Sequence, residues 1–432
     1  MAIAALLVGG LVCAGACSGR HDDARAVHFL AWKPQQPGPL EEAIGDFERA
    51  SGIRVVRHIG SENASQYYSE LTTKLRNHDP ALDVFFLDVV WPAEFAARGY
   101  LADLTGRLPP AERELFLPGP MAACTVAGRV VAVPFDVDVG LLYYRRDLLE
   151  KYNLSPPATW AELLEQIDAV LAGEKQAHPS MVGYAAQFRR YEGLVCNMLE
   201  MVAGRGGALV DETGKPVLDT PAVIGAVRWV RDRLLLDPQH PRRAPRTLLN
   251  ATEQESRAIF ARGDALFHRN WPETWNILND PERSSVAGRV GMAPLPAGPG
   301  GRSAGTLGGW ELAISSYSPR TEQAWRFVRY LTSHAVQKKL AIELAQPMAR
   351  TSIYHDEELL SAVPHFGRAG RWGQPLLRAA LSAVPRPALA RYSVFSDRLQ
   401  QCLHDAISAP ESNIEAIMSD CEQRIRDEIG DP

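Results

Sequence analysis

Asp83-Val-Phe-Phe-Leu-Asp88-Val-Val-Trp91 decides the fold of this chain of 432 residues. A continuous apolar run suited to a buried parallel strand ends on a carboxylate, with an indole three residues later. In open α/β sheets small molecules bind in the crevice beyond the carboxyl ends of the strands, so Asp88 is delivered to a ligand-binding rim. A carboxylate that accepts two hydroxyl hydrogen bonds beside a flat apolar ring suits a sugar, which carries hydroxyls at its edge and C–H groups on its face. The plainer reading of the segment alone is a core strand with an N-capping aspartate and a packed indole.

Outward from this stretch the pattern alternates. Residues 26–32 read as a first strand, residues 40–49 as an amphipathic helix, residues 52–56 as a second strand and residues 67–75 as another helix. This βαβαβ start predicts an α/β protein with a mostly parallel sheet covered by helices. Residues 129–135 and 140–144 are β-rich runs joined through Asp136-Val-Asp138, a polar interruption where the chain can cross between lobes. After Pro156-Pro157, Thr159-Trp-Ala-Glu162 is a capping box, and helical patterns dominate to about Asn279. Residues 294–302 form a Gly/Pro-rich loop, residues 306–314 return to strand, and the remainder from Thr321 is mainly helical. The strand at 306–314 belongs most economically to the first sheet, which makes the lobes discontinuous in sequence.

A chain of this length with 46% hydrophobic and 22% charged residues is too long for one simple core, so two lobes are expected. The formal charge of -5, with no block of Lys and Arg, excludes a nucleic-acid footprint and a basic patch for anionic membranes. Residues 1–16 carry no charge and are almost wholly apolar or small, and Cys17-Ser-Gly-Arg-His opens a polar tether over 17–25. Such a run reads as a cleaved signal peptide, with a truncated anchor helix as the alternative. Either way the folded part lies outside the cytoplasm. Ala14-Gly15-Ala16-Cys17 looks like a bacterial lipobox, which marks Cys17 for lipidation and membrane anchoring. It departs from the pattern in having Ala14 where Leu is usual and no Lys or Arg before the apolar run. Cys124, Cys196, Cys402 and Cys421 have no metal spacing. Cys402 and Cys421 fall in a helical region where a hairpin can pair them, the alternative being four separate buried thiols.

Several motifs fail in context. Gly301-Arg-Ser-Ala-Gly305 matches a hydrolase elbow, yet a loop precedes it and a strand follows, the reverse of what the chemistry needs. No phosphate loop or dinucleotide fingerprint exists, so no cofactor is expected, and the histidines include no metal-binding pair. What the chain does supply is a set of Trp, Tyr and acidic residues at turns and strand ends. These are Trp91, Asp138, Tyr191-Glu192-Gly193, Asn270-Trp-Pro-Glu273-Thr-Trp275, Gly308-Gly-Trp310 and Pro385-Arg-Pro387. Each indole taken singly is more often core; together they fit a sugar cleft. Gly308-Gly309 permits close backbone approach, and the prolines around Arg386 stiffen it to aim its forked donors at hydroxyls, at Asp88 or at Asp138.

With these residues in hand, the sequence resembles the extracellular solute-binding proteins of bacterial ABC sugar importers, family 1, on the trehalose/maltose-binding branch. The matching blocks are Leu87-Asp-Val-Val-Trp-Pro-Ala-Glu-Phe95, Pro134-Phe-Asp-Val-Asp-Val-Gly-Leu-Leu-Tyr-Tyr-Arg-Arg-Asp-Leu-Leu149, Tyr191-Glu-Gly-Leu-Val-Cys196, Arg269-Asn-Trp-Pro272, Thr306-Leu-Gly-Gly-Trp310 and Val384-Pro-Arg-Pro387. The resemblance implies a two-lobed periplasmic-binding-protein fold of type II, like maltose-binding protein, with the sugar enclosed at a multi-strand hinge. The expected N-terminal lobe is 26–135 with 298–335, and the C-terminal lobe is 136–297 with 336–432. Positions carried over are Asp88, Asp138, Trp271, Gly309, Trp310 and Arg386: carboxylates accept from hydroxyls, indoles stack on glucose rings and the arginine donates. Glu273, Asp136, Gln36 and Gln66 join them as candidates. In that group Gln36 stands where relatives place an acidic residue, Gln66 where an arginine is expected, and Asp136 where an aromatic is common.

The function these residues point to is a non-enzymatic receptor, acting as a lipid-anchored monomer. It would capture an α-linked disaccharide, close its lobes by hinge bending and dock on an ABC permease. Two alternatives are a surface glycoside hydrolase using a pair such as Asp88 and Asp138, and a receptor for an oligosaccharide or glycerol phosphate. Within the candidate set Asp88 keeps the ligand role, while Trp91 belongs to the core or the cleft wall.

Overall fold

The computed structural model describes residues 26–31, 38–61, 64–363 and 375–430. Its strands in chain order are β1 (Val27–Ala31), β2 (Val55–Ile59), β3 (Val84–Asp88), β4 (Thr125–Val126), β5 (Arg129–Val130), β6 (Val133–Pro134) and β7 (Asp138–Val139). They continue with β8 (Leu141–Arg145), β9 (Val182–Ala185), β10 (Ala265–Asn270), β11 (Val290–Pro294), β12 (Leu307–Gly308) and β13 (Trp310–Ile314).

The first sheet runs β2-β1-β3-β13-β6, with β1 parallel to both β2 and β3, as the alternating pattern predicts. Val84, Phe85, Phe86 and Leu87 are all buried because helices cover both faces of the sheet, which is why the segment reads as an unbroken apolar run. Helix Pro39–Ser51 shows how the cover is made. Proline stands in its first turn, Glu41 accepts from the Gly38 amide at 2.6 Å, and Gly52 ends it in the left-handed region at φ 68°. Leu40, Ala43, Ile44 and Phe47 form its buried stripe.

The second sheet runs β11-β8-β10-β9. Helices dominate residues 156–279, as their pattern predicts, and two strands the pattern does not show, β9 and β10, lie among them. All six residues of β10 are buried, His268, Arg269 and Asn270 included, and polar side chains inside a central strand disguise its β character. The Thr159 cap is formed: its hydroxyl accepts from the Glu162 amide at 3.2 Å, and Glu162 reaches back to the Ala158 amide at 2.8 Å.

The expected single strand at 306–314 is broken in two at Gly309. β12 pairs with β7, Leu307 opposite Val139 and Gly308 opposite Asp138, whereas β13 joins the first sheet with Trp310 opposite Asp88. Gly309 has φ 122°, and a Cβ there would lie 2.7 Å from the Asp136 carbonyl, so only glycine allows the switch. The crossing between the sheets therefore comprises residues 135–140 and 304–309, with Met348 bridging Asp136 and Val384 bridging Thr306. Helix His334–Leu344 packs on helix Pro39–Ser51, where Lys339 reaches Glu42 at 3.1 Å, and the Ala349 amide donates to the Phe135 carbonyl. Cys402 and Cys421 are disulfide-bonded between helices Tyr392–Ser408 and Ile414–Ile429. Cys124 and Cys196 are buried free thiols. Cys17, the signal segment and the tether lie outside the described residues. Among the described residues, no helix is long and apolar enough to cross a membrane.

Candidate functional site

β3 carries Asp88 to the sheet's carboxyl edge, where its side chain lines a cavity of about 400 Å3 at the crossing. Arg386 Nη2 donates to Asp88 at 3.1 Å, and the Val90 amide donates to the same carboxylate oxygen at 3.1 Å. Burial pushes the Asp88 carboxyl above its usual range, against the pull of these two donors. A second arm of Arg386 donates to Glu192 at 2.9 Å, and Glu192 also accepts from Tyr392 and Ser396. Glu192 opens helix Glu192–Ala203, just after β9 of the second sheet. Arg386 therefore links carboxylates that arrive from the two sheets, and its Nε is buried with no hydrogen-bond partner among the described residues.

The crossing supplies Asp136, Asp138, Gly309 and Trp310. Asp136 accepts from the Trp310 amide and from Gln346 Nε2 at 2.9 Å. Its carboxyl is pushed up to about 7, by burial first and then by the Glu273 and Asp88 charges. Burial, followed by the charges of Asp136, Glu273 and Asp88, pushes the Asp138 carboxyl well above its usual range. Asp138 Oδ1 is enclosed with no hydrogen-bond partner among the described residues.

Two indoles face this polar edge. Trp310 is partly exposed to the cavity, with Tyr67, Phe86 and Trp91 meeting it edge-on at centroid distances of 5.7, 6.3 and 6.0 Å. Trp91 is itself 7% exposed and packs behind Trp310 as a core residue outside the cavity lining. Trp271 follows the end of β10. The Arg269 guanidinium lies 4.0 Å from its ring centroid, and its Nε1 donates to Glu253 at 3.3 Å. Gly308 packs against the same ring, since a Cβ there would lie 3.1 Å from it. Glu273 also lines the cavity; burial pushes its carboxyl up to about 7, against the nearby Arg257 charge.

Asp88, Asp136, Asp138, Trp271, Glu273, Gly309, Trp310 and Arg386 thus come together. Gln66 does not join them: it is exposed and accepts from Ser61, while Ala64 and Ser65 of the same helix line the cavity. One residue along a helix turns a side chain by about 100°, enough to miss the cleft. Gln36 lies outside the described residues. The sequence reading missed Glu253, Arg257 and Gln346. Thr252-Glu-Gln-Glu255 carries a readable signal, a capping box that starts helix Glu253–Ala261 at the cavity. Gln346 sits in an irregular segment and offers no pattern. The lining holds six carboxylates (Asp88, Asp136, Asp138, Glu192, Glu253 and Glu273) against two guanidiniums, Arg257 and Arg386. That excess favours ligands rich in hydroxyl donors and opposes phosphate.

The family model of the bacterial extracellular solute-binding proteins matches residues 32–338. A Deinococcus radiodurans protein named "Probable ABC transporter-binding protein" is 36% identical over 332 residues, 76% of this chain and 75% of its own length. Among solved structures, maltose-bound MalE3 of T. maritima is 35% identical with a TM-score of 0.82, covering 93% of this chain and 99% of that one. A Thermotoga lettingae solute-binding protein with α-D-tagatose bound shares the fold at 23% identity and a TM-score of 0.80, over 94% of this chain and 100% of that one.

Proposed function

This chain belongs to the bacterial extracellular solute-binding proteins that serve ABC transporters, and from that premise we propose that it captures an α-linked disaccharide of the maltose or trehalose type. The observation that carries this reading is one cavity, of the size small ligands occupy, in which two indoles face a row of carboxylates and two arginines. Trp271 and Trp310 supply flat faces for two sugar rings. Asp88, Asp136, Asp138 and Glu273 accept from hydroxyls, and Arg386 donates. The maltose bound to a structure 35% identical to this chain supports the same ligand class.

In this reading the lobes are centred on the two sheets and rotate about the crossing at 135–140 and 304–309. Closure brings Glu192, Glu253 and Trp271 onto a sugar already held by Asp88 and Trp310. Arg386 touches both sides and fixes the closed geometry. Anchoring through a lipid on Cys17 and docking of the closed form on a permease complete the cycle, and the sugar leaves unaltered. A melting-temperature screen of maltose, trehalose, mannitol and glycerol phosphate tests the ligand class. Stabilisation by maltose or trehalose supports it; a response to glycerol phosphate alone refutes it. Chromatography of the recovered sugar decides against hydrolysis if maltose returns intact, and in favour of a glycosidase if glucose appears.

A further inference from the structure

Behind Trp271 lies an ion pair whose two residues are outside the cavity lining. Arg269 is fully buried and donates to Glu200 through Nε at 3.1 Å and through Nη2, with Gln187 Oε1 at 3.4 Å from Nη1. Glu200 is 3% exposed, and its Oε1 also accepts from the backbone amide of Thr306 at 3.0 Å. Thr306 belongs to the crossing: its carbonyl accepts from the Gly140 amide at 3.2 Å, and its hydroxyl donates to the Cys196 carbonyl at 2.8 Å. Gly140 has no room for a side chain, because a Cβ there would lie 1.9 Å from Glu200 Oε1 and 2.7 Å from Arg269 Nη2. One unbroken chain of contacts therefore runs from the crossing backbone through Glu200 and Arg269 to the ring of Trp271.

A buried ion pair is a poor source of stability, because desolvation cancels most of the attraction. Fixing one geometry is a better account of its presence. We propose that Glu200 is a positioning residue, which through Arg269 holds the stacking face of Trp271 in register with the interlobe crossing. Arg269 covers one face of the indole, leaving the other for the sugar, and the cation draws on the ring's π density. Because Glu200 grips the Thr306 amide with the oxygen that also holds Arg269, a shift of the crossing strand moves the indole. This inference rests on the sugar-binding reading of Trp271.

The test uses the full chain labelled with 5-fluorotryptophan, the Trp271 resonance being assigned by its loss in Trp271→Phe. In sugar-free protein, Glu200→Gln and Gly140→Ala should each shift or broaden that resonance while those of Trp160 and Trp229 stay in place. Maltose affinity should fall roughly tenfold in both. Asp83→Asn, which weakens the contact of the buried Asp83 carboxylate with Arg320 at 3.2 Å beside the first sheet, should lower the melting temperature without moving the Trp271 signal. Gly140→Ala keeps every charge, so it decides the matter if Glu200→Gln does not fold. An unmoved Trp271 resonance in folded Gly140→Ala or Glu200→Gln, or an equal movement in Asp83→Asn, overturns the proposal. If the wild-type protein binds no sugar, the ligand reading fails while the resonance arm still decides the positioning role.

Discussion

Arg386 and Asp88 are joined at 3.1 Å across 298 positions of sequence, and the same guanidinium holds Glu192 from the other sheet's side. The first carboxylate of the cleft is thus partly neutralised before any ligand arrives. Arg386→Met removes a buried cation and leaves two half-buried carboxylates without it. It should cost roughly 3–5 kcal/mol of stability and weaken sugar binding roughly hundredfold. Chemical denaturation and calorimetry of the same preparation measure both.

The two indoles should separate in their effects. Trp310 is packed against Tyr67, Phe86 and Trp91, so Trp310→Ala should abolish most binding and also cost about 3–5 kcal/mol of stability. Trp271→Ala should remove binding to a similar extent with a smaller fall in melting temperature. Equal stability losses in the two variants would contradict this assignment of roles.

The cleft carboxyls set a pH dependence. In the sugar-free protein burial holds Asp136 and Glu273 at about 7, whereas unfolded carboxyls titrate near about 4. The folded state therefore binds more protons between those values. The stability these groups contribute is full at low pH and is lost as pH rises through about 7. Sugar hydroxyls favour the ionised form, so affinity should rise from about pH 6 to about pH 8 and binding should release protons. Titrations in buffers of different ionisation enthalpy read that release directly; proton uptake would contradict it.

The Cys402–Cys421 bridge ties two C-terminal helices, neither of whose cysteines lines the cleft. Replacing both with serine should cost about 3 kcal/mol, most of it through the unfolded chain, and leave sugar affinity unchanged.

Gly309→Ala places a methyl group 2.7 Å from the Asp136 carbonyl in a backbone region that side chains avoid. A loss of about 2 kcal/mol is expected, together with weaker binding, because Trp310 and Asp136 are both set by this turn.

The sequence shows most clearly those parts whose chemistry is local. The 83–91 run reads as a buried strand because its side chains are apolar on both faces, and the Gly308-Gly309-Trp310 triplet announces a close approach. β10 is hidden because His268, Arg269 and Asn270 are polar yet buried, each satisfied by partners distant in sequence. The division of 306–314 at Gly309 is equally invisible, since both halves are strand and only their partners differ. Glu192 stands out as part of an aromatic and acidic cluster, but nothing near it in sequence reveals that its partner is Arg386.

The central claim is that the cavity between Trp271 and Trp310 holds an α-linked disaccharide, and calorimetric titration of maltose and trehalose into the wild-type protein tests it most directly. The prediction is one site per chain, with micromolar affinity, about -8 kcal/mol, for at least one of the two sugars, and loss of that heat in Trp271→Ala. No binding of either sugar, or binding that survives in both Trp271→Ala and Asp88→Ala, would contradict it.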